Sequence, residues 1–312
     1  MAYLLLFFAS LFWGGSFVAT RYALVDGGLS VFLLLSLRFF FSTLILVVIV
    51  IFSKRDKLGR QDIFRLLSIS IVYPAMYFIF ETMGIERTPA FLSSLIISSI
   101  PVLTGLTARI FLREKLSLRG WVGIFVSIGG IILILLGANV KGGETSVTGN
   151  SYISLLGVLL MFGAAITGAI YTTATRYLVT RYKPLTLTTF QSGFAFLFFT
   201  VIASVRTISS SETLRDIFVS IGVGGIIAVL FLSVFASVLA FLFYTRALMV
   251  MEAGKVSLFL NTIPVISLIL AWLILGEKIY LGQVPGFIGV IVGVFIASWG
   301  SKKREVLFVE EG

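Results

Sequence analysis

Cysteine and histidine are both absent from the 312 residues. Without them the chain cannot build a disulfide, a thiolate or imidazole metal site, or a Ser-His or Cys-His nucleophile. Charge is also scarce: Asp, Glu, Lys and Arg make up 12% of the chain, against 58% hydrophobic residues and a mean hydropathy of +1.10. A soluble chain of this length could not cover so much apolar surface with so few charges. No connecting stretch is long enough for a soluble domain, and no glycine-rich phosphate loop is present, so ATP-driven pumping by this chain alone is not expected. No cofactor and no metal are expected.

What the sequence does contain is apolar runs of about 20 residues separated by short charged clusters, the pattern of an all-α polytopic membrane protein. Ten transmembrane spans can be drawn, over 3–23, 30–52, 63–84, 89–112, 118–138, 152–174, 184–205, 224–247, 256–275 and 281–299. The chain turns apolar at Tyr3 with no basic stretch before it, which predicts an uncleaved first span rather than a signal peptide. Of the 24 Lys and Arg residues, 17 fall on inner loops and tail if the N-terminus is cytoplasmic, and 6 fall outside, Arg21 and Lys278 among them. Arg38 alone lies deep in a span. That asymmetry predicts both termini in the cytoplasm and a plasma (inner) membrane protein. The formal charge of +10 then reports topology and anionic lipid headgroups, not a nucleic-acid partner.

The most informative feature is a repeat. Ser94 to Pro101 and on to Glu114-Lys115 recurs as Ser257 to Pro264 and on to Glu277-Lys278, at a constant offset of 163 residues. Phe78, Thr82, Gly123 and Gly130 recur in the same register as Phe241, Thr245, Gly286 and Gly293. Chance alignment of apolar helices gives Leu and Val matches, but rarely Pro, Glu-Lys and Gly together. Residues 1–140 thus form one five-helix unit and 141–312 a second. An odd number of spans turns the second unit upside down, so two inverted five-helix repeats are expected, an architecture of carriers that alternate between inward-open and outward-open states.

Trp13-Gly14-Gly15-Ser16-Phe17, Leu37-Arg38-Phe39, the two proline-bearing helices and the two Glu-Lys endings resemble the EamA family of the drug/metabolite transporter superfamily. The resemblance covers nearly the whole chain. It implies a ten-helix carrier, often an exporter of amino acids, other metabolites or drugs, with a central cavity between two halves. Individual substrates do not carry over.

Several side chains could line such a cavity. Ser94, Ser98 and Pro101 share one helix face, and Ser257, Asn261 and Pro264 repeat the stripe. Each proline leaves a carbonyl without its helical partner, at Ile97 and Leu260, and such a group must find a donor or face a wet cavity. The competing reading is packing kinks with polar groups satisfied between helices. Trp13, Ser16, Tyr77, Thr167, Tyr171 and Phe241 add aromatic rings and hydroxyls that could hold an apolar, aromatic or cationic ligand, although Tyr and Trp near span ends are often interfacial belts. Tyr244 is expected in that belt. Arg38 and Glu81 are ionisable groups inside spans, and a lone charge there is costly, so an Arg38–Glu81 ion pair acting as a latch or outer gate is expected, with proton coupling through Glu81 as the other possibility. The Glu-Lys endings read as interfacial anchors and loop-pairing groups. Gly282, Gly286, Gly289 and Gly293 predict close helix packing, within the fold or across a dimer face; the oligomeric state is left open.

The leading expectation is a carrier of a small organic solute, an amino acid, a related metabolite or a drug, moved outward. A channel-like facilitator would call for charge rings or a filter loop. An intramembrane enzyme would call for a dense polar cluster, and none is visible in the sequence.

Overall fold

The structure, a computed structural model, describes residues 2–53, 58–112, 118–138, 146–147, 151–152, 154–178, 181–209, 221–248, 260–277 and 281–299. It is helical almost throughout. The first half contains α1 (Ala2–Val25), α2 (Val31–Ile51), α3 (Arg60–Arg87), α4 (Ala90–Ile97), α5 (Ile100–Leu112) and α6 (Leu118–Ala138). A two-residue ribbon, Ser146–Val147 against Ser151–Tyr152, precedes the second half. That half contains α7 (Leu155–Leu178), α8 (Pro184–Ser209), α9 (residues 223–248), α10 (Ile263–Leu275) and α11 (Val284–Trp299). Among the described residues, seven helical segments are long and apolar enough to cross a membrane, and shorter apolar helices cover 118–134, 263–275 and 281–296. The chain is a multi-pass membrane protein.

Large apolar side chains face outward, including Leu44 at 54%, Phe125 at 67% and Leu197 at 64% exposure. Such side chains meet lipid tails, so helices that satisfy their own backbone groups tolerate the exposure. One enclosed core joins α1, α4, α6, α7 and α11: Phe17, Phe91, Leu95, Ile131, Met161 and Val290 are all buried in it.

The 163-residue offset reappears in the backbone. The span 89–112 is broken at Ser98-Ser99, and the helix restarts as α5; in the second half the turn at Asn261-Thr262 precedes α10. Both ends of α5 and α10 differ by 163 residues. Each proline, Pro101 and Pro264, is the second residue of the restarted helix, where its missing N–H has no intrahelical carbonyl to serve. Ser257, Glu114, Lys115 and Lys278 lie outside the described residues.

Counterpart helices pack antiparallel. Along α2 and α8, Ser36 Oγ lies 2.7 Å from Thr200 Oγ1, Phe39 stacks on Phe199 and Phe40 touches Phe196, so numbers rise on one helix as they fall on the other. Along α6 and α11, Gly130 meets Gly286, Gly289 and Val290, while Gly293 meets Ser127 and Gly123. A Cβ on Gly130 would come 2.6 Å from the Val290 nitrogen, so only glycine allows this approach. The glycines of α11 other than Gly282, which precedes the helix, therefore serve packing within the fold.

Candidate functional site

A kink in α3 and a π-helical segment in α9, one in each half, organise the polar interior. In α3 the segment Ile71–Met76 contains Tyr73 in an extended conformation (φ −144°, ψ 118°) followed by Pro74. The Tyr77 N–H reaches the carbonyls of Val72 and Pro74, and so bypasses Tyr73. In α9 the segment Phe231–Leu239 sends the Ala240 N–H to the Phe235 carbonyl and bypasses Ala236. Tyr73 and Ala236 are themselves 163 residues apart.

A bypassed carbonyl buried between membrane helices must find another donor. Both do, and each donor comes from the opposite half. Gln191 Nε2 on α8 donates to the Tyr73 carbonyl (3.3 Å), and Trp13 Nε1 on α1 donates to the Ala236 carbonyl (3.1 Å). Departures of this kind from α-geometry concentrate at functional sites. Gln191 was not among the residues singled out from sequence.

Aromatic rings gather around both segments. Tyr73 stacks on Tyr171 (4.1 Å between centroids, 14° between planes), Tyr77 lies 4.9 Å from Tyr73, and the Tyr171 hydroxyl donates to Gln191 Oε1 (3.0 Å). On the other side, Trp13 meets Phe241 edge-on at 5.7 Å and Tyr244 at 5.4 Å. Tyr244, expected in the interfacial belt, packs in this cluster because the turn of α9 that carries it lies against α1.

Arg38 and Glu81 share the buried layer, with exposures of 6% and 7%. The expected ion pair is not closed. The two groups interact electrostatically, but no Arg38–Glu81 salt bridge within 4.0 Å is present among the described residues. Arg38 Nε instead donates to Ser237 Oγ (3.0 Å), and its guanidinium lies over the Phe78 ring (4.7 Å) with Phe39 at 5.7 Å. Glu81 Oε1 accepts the Tyr77 hydroxyl (2.9 Å). Ser237 and Tyr77 lie closer to hand than the opposite charge, so each ion is held by a neutral neighbour.

The remaining candidates are more dispersed. Ser16, Ser94, Ser98 and Thr167 each turn the hydroxyl back to a carbonyl of the preceding turn, at Trp13 (2.7 Å), Phe91 (2.7 Å), Leu95 (2.6 Å) and Gly163 (2.9 Å). Ser94 is enclosed at 1% exposure, whereas Ser98 and Asn261 are half-buried at the two helix breaks. Pro101 is exposed and Pro264 is buried.

At one end of the bundle stands a residue read from sequence as an interfacial anchor and loop-pairing group. Glu277, 2% exposed, accepts the backbone N–H groups of Ala90 (2.8 Å) and Phe91 (3.3 Å) at the start of α4. Arg21, placed above among outer-loop cations, is 4% exposed and donates to the carbonyls of Ile85 (2.8 Å) and Glu86 at the end of α3. A carboxylate thus meets a helix N-terminus and a guanidinium meets a helix C-terminus, both in the sense that the backbone dipoles favour. Burial raises the Glu277 carboxyl above the ordinary Glu range, with the two backbone N–H groups and Arg21 pulling the other way.

A sequence profile of the EamA-like transporter family matches residues 1–136 and 155–299, both halves in turn. The chain belongs to that family. An uncharacterized transporter of Archaeoglobus fulgidus is 29% identical over 287 residues, covering 91% of this chain and 94% of that protein. The uncharacterized transporter YyaM of Bacillus subtilis is 28% identical over 305 residues, with 95% and 93% covered. The WAT1-related protein At1g44800 of Arabidopsis thaliana is 27% identical over 277 residues, with 82% and 73% covered. A solved crystal structure superposes with a TM-score of 0.62 at 18% identity, over 95% of this chain and 96% of that one, and so shares the fold. Membership of the EamA-like family makes this a membrane transporter of small solutes.

Proposed function

We propose that the protein is an alternating-access exporter of a small organic solute, an amino acid or related metabolite or a drug. It consists of two inverted five-helix repeats, 1–140 and 141–312. Ten spans put both termini in the cytoplasm, and the solute site lies at mid-depth between the halves. The observation that carries this reading is the reciprocal pair of bonds at the α3 kink and the α9 π segment. Counterpart carbonyls in the two halves are each held by a side chain from the other, so a rocking motion that exchanges the halves' conformations works directly on both. The antiparallel packing of α2 on α8 and of α6 on α11 supports the inversion. Trp13, Tyr77, Tyr171 and Phe241 supply the aromatic walls of the site, and Ser98 and Asn261 supply polar groups at the helix breaks. Ser16, Ser94 and Thr167 border it.

Flux in proteoliposomes against a panel of amino acids, with and without a pH gradient, tests this. Flux that saturates and is stimulated by solute on the far side marks a carrier; non-saturating flux marks a channel. Asn261→Leu is expected to abolish flux while leaving expression intact, and wild-type flux in that variant removes the α10 break from the site.

A further inference from the structure

We propose that Arg38 reads an anionic group, a carboxylate on the transported solute, through its two Nη nitrogens. This rests on the carrier reading above and adds to it a substrate class and a residue.

A guanidinium carries five N–H donors and no acceptor. At Arg38 the single Nε–H is taken by Ser237 Oγ. The four Nη hydrogens donate to no other described group, although the residue is only 6% exposed. The nearby carboxylate of Glu81 does not fill the need, because it stands outside salt-bridge range and takes the Tyr77 hydroxyl. The Arg38 nitrogens are not among the fully enclosed polar atoms without a partner, such as Thr43 Oγ1 and Thr82 Oγ1, so they border accessible space. A membrane interior does not leave a charged fork facing such space without an anion or a wet cavity to meet it.

The geometry is fixed in advance. Ser237 holds one edge of the guanidinium and the Phe78 face lies under it at 4.7 Å, so the outer edge is presented at a set angle, as bidentate carboxylate recognition requires. Tyr73 and Tyr77 pack on the same Phe78 ring, at 5.5 and 5.0 Å between centroids, so aromatic rings stand beside the guanidinium. Ser237 belongs to the π segment of α9 and Arg38 to α2, so the fork sits where the two halves meet. Lysine would be a poor substitute, because it offers a point charge without two parallel donors.

The test uses the full chain in detergent near neutral pH, with benzoate as probe and benzamide as its uncharged counterpart at the same ionic strength. Benzoate is expected to raise the unfolding temperature saturably, and benzamide is not. Arg38→Gln is expected to weaken the benzoate response by about tenfold or more, and Arg38→Lys to recover only part of it. The absence of a saturable benzoate shift overturns the proposal. So does a benzamide shift as large as that of benzoate, or an Arg38→Gln response equal to wild type. The wild-type comparison needs no variant to fold. Saturable flux confined to uncharged or cationic solutes leaves the carrier reading standing and removes this one. A benzoate shift lost in Arg38→Gln, with no flux of any solute, does the reverse.

Discussion

Glu277 and Ala90 belong to opposite halves of the chain, and the carboxylate of one is bonded to the backbone N–H of the other at 2.8 Å. The first N–H groups of a helix have no intrahelical acceptor, so a side chain from another element has to satisfy them if the helix end is buried. Pro89, the residue before α4, has no side-chain acceptor to offer, and Glu277 supplies both oxygens in its place. The end of α3 is tied down by Arg21 across the same connection. One acid and one base, neither from α3 or α4, thus fix the turn between them.

Replacing Glu277 with Ala removes this cap, and losses of about 0.5–2 kcal/mol are typical for a lost helix cap. Thermal unfolding in detergent is expected to show a lower midpoint for Glu277→Ala, with Glu277→Gln intermediate because an amide oxygen still accepts one N–H. A Glu277→Ala protein as stable as wild type would remove the cap from the account.

The Glu277 carboxyl is raised above its ordinary value of 4.5 by burial. The folded state then binds a proton more tightly than the unfolded state. This group's contribution to stability is fully present below the ordinary Glu range and is lost as pH rises through the shifted value. The difference in unfolding midpoint between wild type and Glu277→Gln is expected to change with pH in that window, in the direction of a wild type relatively more stable in acid. An unchanged difference across the window contradicts it.

Trp13→Phe keeps most of the ring and removes the N–H that serves the Ala236 carbonyl; Gln191→Leu does the same for the Tyr73 carbonyl. Each leaves a buried acceptor unsatisfied, at a cost of about 1–3 kcal/mol. Both variants are expected to lower the unfolding midpoint and the flux. A Trp13→Phe variant with wild-type stability and flux argues that the α9 π segment finds its donor elsewhere.

The α6–α11 approach predicts a sharp contrast among glycines. Gly130→Ala and Gly286→Ala drive a Cβ to 2.6 Å and 2.5 Å from backbone atoms of the partner helix, whereas a Cβ at Gly129 meets nothing within 4 Å. The first two are expected to destabilise by about 1–3 kcal/mol or more through overpacking, and Gly129→Ala to be neutral or slightly stabilising. Unfolding midpoints of the three variants decide the matter; equal midpoints contradict the packing.

Much of the fold was legible because its signals are local. Apolar runs of about 20 residues mark membrane helices regardless of what surrounds them, and the Pro101 and Pro264 helices announced their breaks in advance. The ends were less certain: α3 runs from Arg60 to Arg87 where 63–84 was expected, and α7 begins at Leu155 where 152 was expected. Charged and polar residues extend a helix past its apolar stretch when a neighbour or the interface satisfies them, and sequence hydropathy does not see that neighbour. The candidate site was legible only in part. Tyr77, Tyr171, Trp13 and Phe241 were singled out, and they pack around the α3 kink and the α9 π segment. The rearrangement that makes those segments a junction depends on hydrogen bonds to Gln191 and Trp13 across the two halves, which no spacing rule predicts.

The sequence by itself determined the membrane class, the doubled unit and the register of its repeat, because hydropathy and repetition are properties of residues in order. Only the tertiary structure decided the partners of the buried charges: Arg38 on Ser237 and not on Glu81, and Glu277 on the start of α4. The reason is one of energy. A charge removed from water takes whichever donor or acceptor the packing brings within about 3 Å, and residues from distant parts of the chain supply that group.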